Sequence, residues 1–256
     1  MGSMTDFLEL ELLDHVLRNE AFTSPTTVYI GLFTAAPGEA GGGTEVSGGS
    51  YARQAIAFDA AASRTAANTA LITFPVATAN WGTITDWAIF DAVTTGNMLW
   101  YGVFDTSIVV NIDDEAEIAA GDIDLTASAA GATDFLVHKL IDHSVGTASY
   151  TAPTSVFAAL FTTATTDAGG GTEVTGGSYA REVIVFDVAA AGATDNSVND
   201  PFPTATADWG TITHAAIMSL VTGGDMLFHA ALTDSRTINN GQNSKFNAGD
   251  LDITLT

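Results

Sequence analysis

The first residues of the chain carry apolar side chains at the spacing of an amphipathic helix. Thr5 or Asp6 can cap the N-terminus of this helix, and acidic residues follow in its first turns, where the helix macrodipole favours them. The same pattern returns after Thr133. The apolar positions are Phe7, Leu8, Leu10, Leu12, Leu13, Val16 and Leu17 in the first segment and Phe135, Leu136, Leu140, Ile141 and Val145 in the second. We therefore predict a short, largely buried helix over residues 5–18 and an equivalent helix in the second half.

Beyond each helix, apolar and polar residues alternate in short runs that are separated by clusters of Gly, Asn, Asp and Ser. In the first half the predicted strands are Val28 to Phe33, Tyr51 to Phe58, Leu71 to Phe74, Trp81 to Phe90, Met98 to Phe104, Ile108 to Ile112 and Asp122 to Thr126. No spacing typical of βαβ units is present. The pattern predicts a mainly β fold, in which an N-terminal helix precedes an antiparallel β-sandwich or jelly-roll-like domain.

The second half of the chain repeats the first at a constant offset of 128 residues. For example, the segment 41–46 recurs as 169–174, with the same residue at every position. We predict two tandem homologous β-domains, residues 5–127 and 133–256, each within the usual size range of a domain with its own core. The segment that joins them, 127–132, is short, so we expect a rigid pseudo-dimer.

The charge of the chain is strongly negative, because 30 Asp and Glu residues face only 7 Lys and Arg residues. Nucleic-acid binding needs a basic cluster that neutralises phosphates, and the sequence has none, so we expect no nucleic-acid partner. The longest apolar runs are far below the roughly 20 residues of a membrane-spanning helix, and we expect no membrane partner. The absence of cysteine excludes disulfides, thiol nucleophiles and thiolate metal sites.

A glycine-rich stretch, residues 41–49, precedes a strand pattern in the first half and lacks the lysine of a phosphate-binding loop. We interpret it as a long hairpin or bulged loop that uses glycine for positive φ angles. Arg53 and Arg181 follow this stretch at equivalent places, each eight residues after Glu45 or Glu173. One hypothesis is a local ion pair that fastens the loop. The other is a docking contact to an acidic group on another subunit, because Arg pairs with carboxylates in a bidentate manner.

Four further aromatic residues recur at equivalent positions and are interface candidates: Tyr51, Tyr179, Trp81 and Trp209. A repeated Trp is a core or interface anchor in one interpretation and a platform for a sugar ring in the other. Trp87 and Trp100 have no counterparts, because Ala215 and Phe228 stand in their places. A binding face that used them would be confined to the first half.

Neither a catalytic centre nor a cofactor or metal site is predicted. His15 and His143 match across the halves beside Asp14 and Asp142, but an Asp-His pair lacks the further ligands that zinc requires, so we interpret them as surface or helix-end residues. The acidic run 113–117 has no acidic counterpart in the second half, which favours a solvated loop over a shared calcium site. No Ser-His-Asp arrangement recurs.

Several of the repeated motifs resemble those of a family of small virion proteins of tailed phages, whose members are labelled tail-fibre or head-decoration proteins. The resemblance rests on segments 13–15, 26–38, 43–46, 48–53, 78–85 and 120–125. It extends over nearly all of each repeat. It implies a non-enzymatic structural protein located in the virion.

This resemblance leaves two hypotheses about function. The first is a capsid decoration, or cement, protein that binds the major capsid protein or other virion subunits on the outer surface of the assembled head. The second is a tail-fibre or adhesion module that binds a host surface glycan through Trp87, Trp100 or the glycine-rich loops. We expect a homo-oligomer, and on a capsid a duplicated module would match the local symmetry with fewer chains.

Overall fold

The computed structural model describes residues 1–255, and it confirms a mainly β fold that contains two helices. The strands of the first repeat are β1 (Gly2–Met4), β2 (Val28–Ala35), β3 (Thr44–Glu45), β4 (Gln54–Ile56), β5 (Thr65–Ala67), β6 (Ile72–Thr73), β7 (Gly82–Phe90), β8 (Met98–Val110), β9 (Glu117–Ile118) and β10 (Asp124–Thr126). Those of the second repeat are β11 (Val156–Phe161), β12 (Glu182–Ile184), β13 (Ala193–Asp195), β14 (Asp200–Pro201), β15 (Gly210–Met218), β16 (Met226–Ile238), β17 (Lys245–Phe246) and β18 (Asp252–Thr254).

Both predicted helices are present, as α1 (Asp6–Arg18) and α2 (Asp134–Ser144). The side-chain oxygen of Thr5 accepts a hydrogen bond from the amide of Leu8 at 3.3 Å, so Thr5 is the N-cap that the sequence predicts. The equivalent threonine caps α2 in the same way. Neither helix has the length and apolarity of a membrane-spanning segment.

The strand predictions are correct for the longest strands and wrong in detail elsewhere. The two runs predicted near Met98 and Ile108 form one continuous strand, β8, because a register shift opposite it on β7 lets the strand bend without ending. The run predicted from Tyr51 to Phe58 is regular only at β4. Strands β1, β3, β5 and β9 have two or three residues each, too few for an alternating pattern to reveal them.

The two repeats differ in how their strands pair into sheets. In the first repeat, an eight-stranded sheet has the order β3-β2-β7-β8-β1-β10-β5, with β4 also paired to β2. Strand β1 joins its two halves, since it is antiparallel to β8 and parallel to β10. In the second repeat, β12-β11-β15-β16 and β13-β18 are separate sheets. No barrel closes among residues 1–255.

Buried side chains of both repeats belong to one continuous apolar cluster. The segment 127–132 takes part in it, because Ala127, Ala129 and Ala132 are buried. Arg64 of the first repeat donates hydrogen bonds to the carbonyl oxygens of Ala129 and Ala132, both at 3.2 Å. The division into two domains stays a prediction, but the structure adds that their cores are joined.

Two equivalent hydrogen bonds link each helix to the other repeat. Asp14 on α1 accepts from the amide of Ala189 at 2.9 Å, and Asp142 on α2 accepts from the amide of Ala61 at 2.7 Å. Asp142 lies 128 residues after Asp14, and Ala189 lies 128 residues after Ala61. The contact is therefore reciprocal, as in a dimer with a two-fold axis.

His15 and His143 lie at the centre of this contact, and their rings are stacked with centroids 4.8 Å apart. Both are buried, so the expectation of surface histidines is wrong, although each does lie in the last turn of its helix. Nε2 of His143 lies 2.8 Å from the carbonyl oxygen of Phe22, and its Nδ1 accepts from the amide of Tyr150. Burial lowers the pKa of His143, and this hydrogen-bond pattern fits a neutral ring.

Glu9 on α1 is a buried acid at the same interface, where its carboxylate packs against Gly192 of the second repeat. Burial, followed by the negative charges of Glu39 and Asp6, raises its pKa to about 7. The folded state therefore retains a proton on Glu9 that the unfolded chain loses near pH 4.5. The bound proton on Glu9 therefore favours the folded state fully below pH 4.5, and this stabilisation is lost as the pH rises through about 7.

We predict that Glu9→Gln stabilises the protein at pH 8 and has little effect at pH 4.5, because an amide does not acquire the buried charge. Thermal denaturation of both proteins at the two pH values measures the effect, and we expect Tm to rise by roughly 5 °C at pH 8. Exposed Glu20→Gln serves as the control. An equal shift at both pH values would contradict the titration of Glu9.

Candidate functional site

The glycine-rich stretch of the first repeat forms the loop between β2 and β3 and continues beyond β3 to Gly49. The amide of Gly42 donates to the carbonyl oxygen of Pro37 at 2.6 Å, which closes the turn. Gly43 has a φ of 80°, and a Cβ atom at this position would collide with the carbonyl oxygen of Ala35. The structure thus confirms the prediction of a loop that requires glycine and leads into a strand.

Arg53 fastens this loop. Its Nε and Nη2 donate to the two carboxylate oxygens of Glu45, both at 2.7 Å, and its Nη1 donates to the carbonyl oxygens of Ala92 and Thr95. The guanidinium carbon lies 3.3 Å from the centroid of the Phe90 ring. Only 10% of the Arg53 side chain is exposed. Most of its hydrogen-bonding capacity is therefore used inside the repeat.

Arg181 repeats this arrangement in the second half. It forms a bidentate pair with Glu173 at 2.7 and 2.8 Å and donates to the carbonyl oxygens of Leu220 and Gly223. The hydrogen bonds to Glu173 raise the pKa of Arg181 above its ordinary value. The local ion pair is thus present twice, while a docking role for either arginine stays a prediction.

Tyr51 and Trp81 complete the same network. The Tyr51 hydroxyl donates to Glu45 at 3.0 Å and accepts from the amide of Leu32, and burial raises the pKa of Tyr51. The Trp81 ring packs edge-on against Tyr51, and its Nε1 donates to the carbonyl oxygen of Gly49 at 2.9 Å. These residues therefore hold both ends of the glycine-rich stretch.

The equivalent residues of the second repeat have the same contacts. Tyr179 donates to Glu173 at 3.1 Å, and burial raises its pKa. Trp209 donates to the carbonyl oxygen of Gly177 at 2.9 Å. The structure thus brings the six candidate residues into two identical networks, and their role as an interface stays a prediction.

A surface cleft lies beneath each glycine-rich loop, and part of the network lines it: Glu45 and Arg53 in the first cleft and Glu173 in the second. The first cleft has a volume of about 570 Å³ and the second of about 550 Å³. The start of the adjacent helix closes one side, because the amide of Asp6 donates to the carbonyl oxygen of Glu39 in the loop. Apart from the loop glycines, the first cleft is lined by Thr5, Asp6, Phe7, Phe33, Glu39, Ala40, Glu45, Arg53, Phe90, Asn97 and Met98.

The two clefts differ in charge. In the second cleft, Arg64 from the first repeat lies 3.1 Å from Asp134 and 3.3 Å from Asp167, and Nε2 of His229 lies 3.1 Å from Asp167. In the first cleft, neither Asp6 nor Glu39 has a Lys or Arg partner among residues 1–255. The first cleft is therefore the more acidic of the two.

Two aromatic residues suggested as a glycan platform lie elsewhere. Trp87 and Trp100 are buried, so neither presents a ring face to solvent and that part of the hypothesis is wrong. Trp100 instead donates from Nε1 to the hydroxyl of Ser144 in the second repeat at 3.0 Å. Within residues 1–255, no group of three or more His, Cys, Asp and Glu side chains is arranged to hold a metal ion.

The helix N-terminus is the part of the site that sequence reasoning missed. Asp6 and Phe7 line the first cleft, and Asp134 and Phe135 line the second. The sequence signal is the recurrence of Thr-Asp-Phe-Leu at the 128-residue offset, which helix capping and burial explain equally well.

The comparison with known families agrees with this duplicated architecture. The family model described as podophage GP4 fiber I protein gp80 matches residues 3–126 and again residues 131–254. The chain is thus a structural protein of the phage virion, and it belongs to this family, whose module it carries twice. The word fiber fits the tail-fibre hypothesis better than capsid decoration. No curated protein matches the chain.

We predict that Arg53→Lys loosens the first glycine-rich loop, because lysine keeps the charge but loses the bidentate pair and the backbone contacts. Urea denaturation should show a loss of about 2 kcal/mol. Hydrogen exchange at Gly42 should become faster, and Arg181→Lys should do the same in the second loop.

Arg236→Lys is the control, because exposed Arg236 donates to the carbonyl oxygen of Asn243 and lies outside both networks. It should change stability by less than about 0.5 kcal/mol. Unchanged hydrogen exchange at Gly42 in Arg53→Lys would show that the ion pair does not hold the loop.

Proposed function

We propose that this protein is a non-enzymatic subunit of a virion fibre and that its two clefts bind a glycan of the host surface. The observation that carries the proposal is the duplication of the cleft, with its volume, its glycine-rich rim and its helix N-terminus, in both repeats. A network that served only folding would need no open space of this size above it.

The lining of the first cleft suits a sugar. Phe7 is half-buried and supplies aromatic surface, against which the apolar face of a sugar ring packs, whereas Phe33 and Phe90 are buried. Asp6, Glu39 and Asn97 supply oxygen acceptors for sugar hydroxyls at the rim.

The charge of the chain narrows the class of glycan. The formal net charge is −23, and Arg53 neutralises Glu45 in the first cleft, whereas Asp6 and Glu39 have no Arg or Lys partner among residues 1–255. Phosphorylated or sulfated sugars would be repelled. We infer that the ligand is a neutral glycan or one that carries amino groups.

Two clefts on one chain favour a fibre over an enzyme. A repeated surface polysaccharide offers many copies of one unit, and linked sites bind it with an avidity well above that of either site. Assembly of several chains in a fibre would multiply this effect. The family description supports a fibre, whereas capsid decoration has no comparable support.

We predict that Ala40→Trp and Ala168→Trp abolish glycan binding, each in its own cleft. Both alanines are exposed and line a cleft, so the indole should fill the space without disturbing the core. The purified protein should compete with phage for adsorption to host cells, and the double variant should lose at least roughly tenfold in this competition. Isothermal titration with host surface polysaccharide measures the same loss directly.

The matched control is Ala119→Trp, an exposed alanine that lines neither cleft. It should compete like the unchanged protein. Full competition by the double variant would show that the clefts do not bind the glycan. Gold-labelled antibody that marked the capsid lattice instead of a fibre would contradict the fibre proposal itself.

A further inference from the structure

The second repeat has an opening that the first repeat fills with a strand. In the first repeat, β1 lies between β8 and β10, and Gly2 pairs with both Gly102 and Leu125. The indole of Trp87 packs directly beneath Gly2 and Gly102, where neither position has room for a side chain. The backbone of β1 and the indole of Trp87 together fill the space between β8 and β10.

The equivalent region of the second repeat keeps only part of the strand and lacks the indole. Residues 130–132 are the counterparts of β1, and the amide of His229 donates to the carbonyl oxygen of Gly131 at 2.7 Å. Gly131 and Ala132 contact β16, but Ala132 forms only an isolated bridge, and no strand of residues 1–255 lies between β16 and β18. Ala215 stands in the place of Trp87. The result is a cavity of about 290 Å³, which we call the strand gap, with Ala230 on one side and Ile253 on the other.

The exposure of the surrounding residues follows from this difference. Ile123 and Leu125 are fully buried in the first repeat, whereas their counterparts Leu251 and Ile253 are half-buried. Gly102 is buried and its counterpart Ala230 is exposed. The edge of β18 that faces β16 has no strand partner among residues 1–255. Unpaired strand edges beside apolar side chains are sites at which extended peptides add.

We propose that the strand gap is an acceptor site for an extended segment of another virion protein. The segment would run as β1 does, antiparallel to β16 and parallel to β18, and end against Gly131. It would carry one bulky apolar side chain above Ala215, in the space that Trp87 fills in the first repeat. This surface shares no residue with the glycine-loop clefts, so the inference does not rest on glycan binding.

The charge of the strand gap indicates which kind of segment it can accept. Asp250 and Asp252 line it, and no Lys or Arg of the described chain does. A neutral or basic segment therefore fits better than an acidic one. The N-terminal strand of a second copy fits less well, because Gly2 would leave the space above Ala215 empty and the donor would open its own first repeat.

The first test uses the intact protein and two synthetic peptides, acetyl-Lys-Thr-Trp-Thr-Lys-amide and the same peptide with Gly in place of Trp. Titration followed by ¹H–¹⁵N NMR should shift the amides of Ala230 and Ile253. The Trp peptide should bind at least about tenfold more tightly, because its side chain fills the gap. Equal binding of both peptides, or no shift at these amides, would overturn the proposal.

Two variants provide the controls. Ala230→Trp places an indole at an exposed position that lines the gap, and Ala215→Trp restores the side chain of the first repeat. Neither variant should bind the Trp peptide. Ala230→Trp should keep the circular dichroism spectrum and the Tm of the unchanged protein. Undiminished binding by a folded Ala230→Trp variant would place the peptide elsewhere and contradict the proposal.

The second test identifies the partner in the assembled virion. A photo-crosslinking amino acid at position 230 should form a covalent product with a different virion polypeptide, and one at exposed position 119 should not. Products that contain only this chain would make a second copy the occupant. Either that result or the absence of any product would overturn the assignment to another virion protein.

Discussion

The reciprocal contact between the helices is the constraint on which the rest of the structure depends. The aspartate of each helix accepts a hydrogen bond from a backbone amide of the other repeat, and the two histidines stack between the helices. Asp142 is buried and Asp14 is half-buried, and carboxylates removed from water in this way need hydrogen bonds to offset the lost hydration. Because each repeat supplies both an aspartate and an amide to the contact, a shift of one repeat would break both hydrogen bonds.

This contact also determines where the clefts lie. The last turn of each helix belongs to the contact between repeats, and its first residues close one side of a glycine-loop cleft. Arg64 crosses from the first repeat to the acids of the second cleft. The joined core and the clefts are therefore parts of one arrangement, and the difference in charge between the clefts arises from residues at the boundary.

Local patterns predicted much of this fold. The helices, their threonine caps, the long strands and the glycine loops could be predicted because each depends on residues close in sequence. The pairing of Arg53 with Glu45 was one of two stated hypotheses, since both residues recur together. The burial of His15 and Trp87 could not be predicted, because it depends on contacts between distant segments. The strand gap depends on the replacement of Trp87 by Ala215 and on the loss of a strand like β1 between β16 and β18, and the second difference is visible only in the order of the strands.

The most direct test of the account is differential scanning calorimetry of the intact chain. If the repeats share one core and one reciprocal contact, they should unfold in a single transition whose calorimetric and van't Hoff enthalpies agree. Two resolved transitions, or a calorimetric enthalpy about twice the van't Hoff value, would show that the repeats fold independently. That result would contradict the central claim that the contact between the helices unites the two repeats.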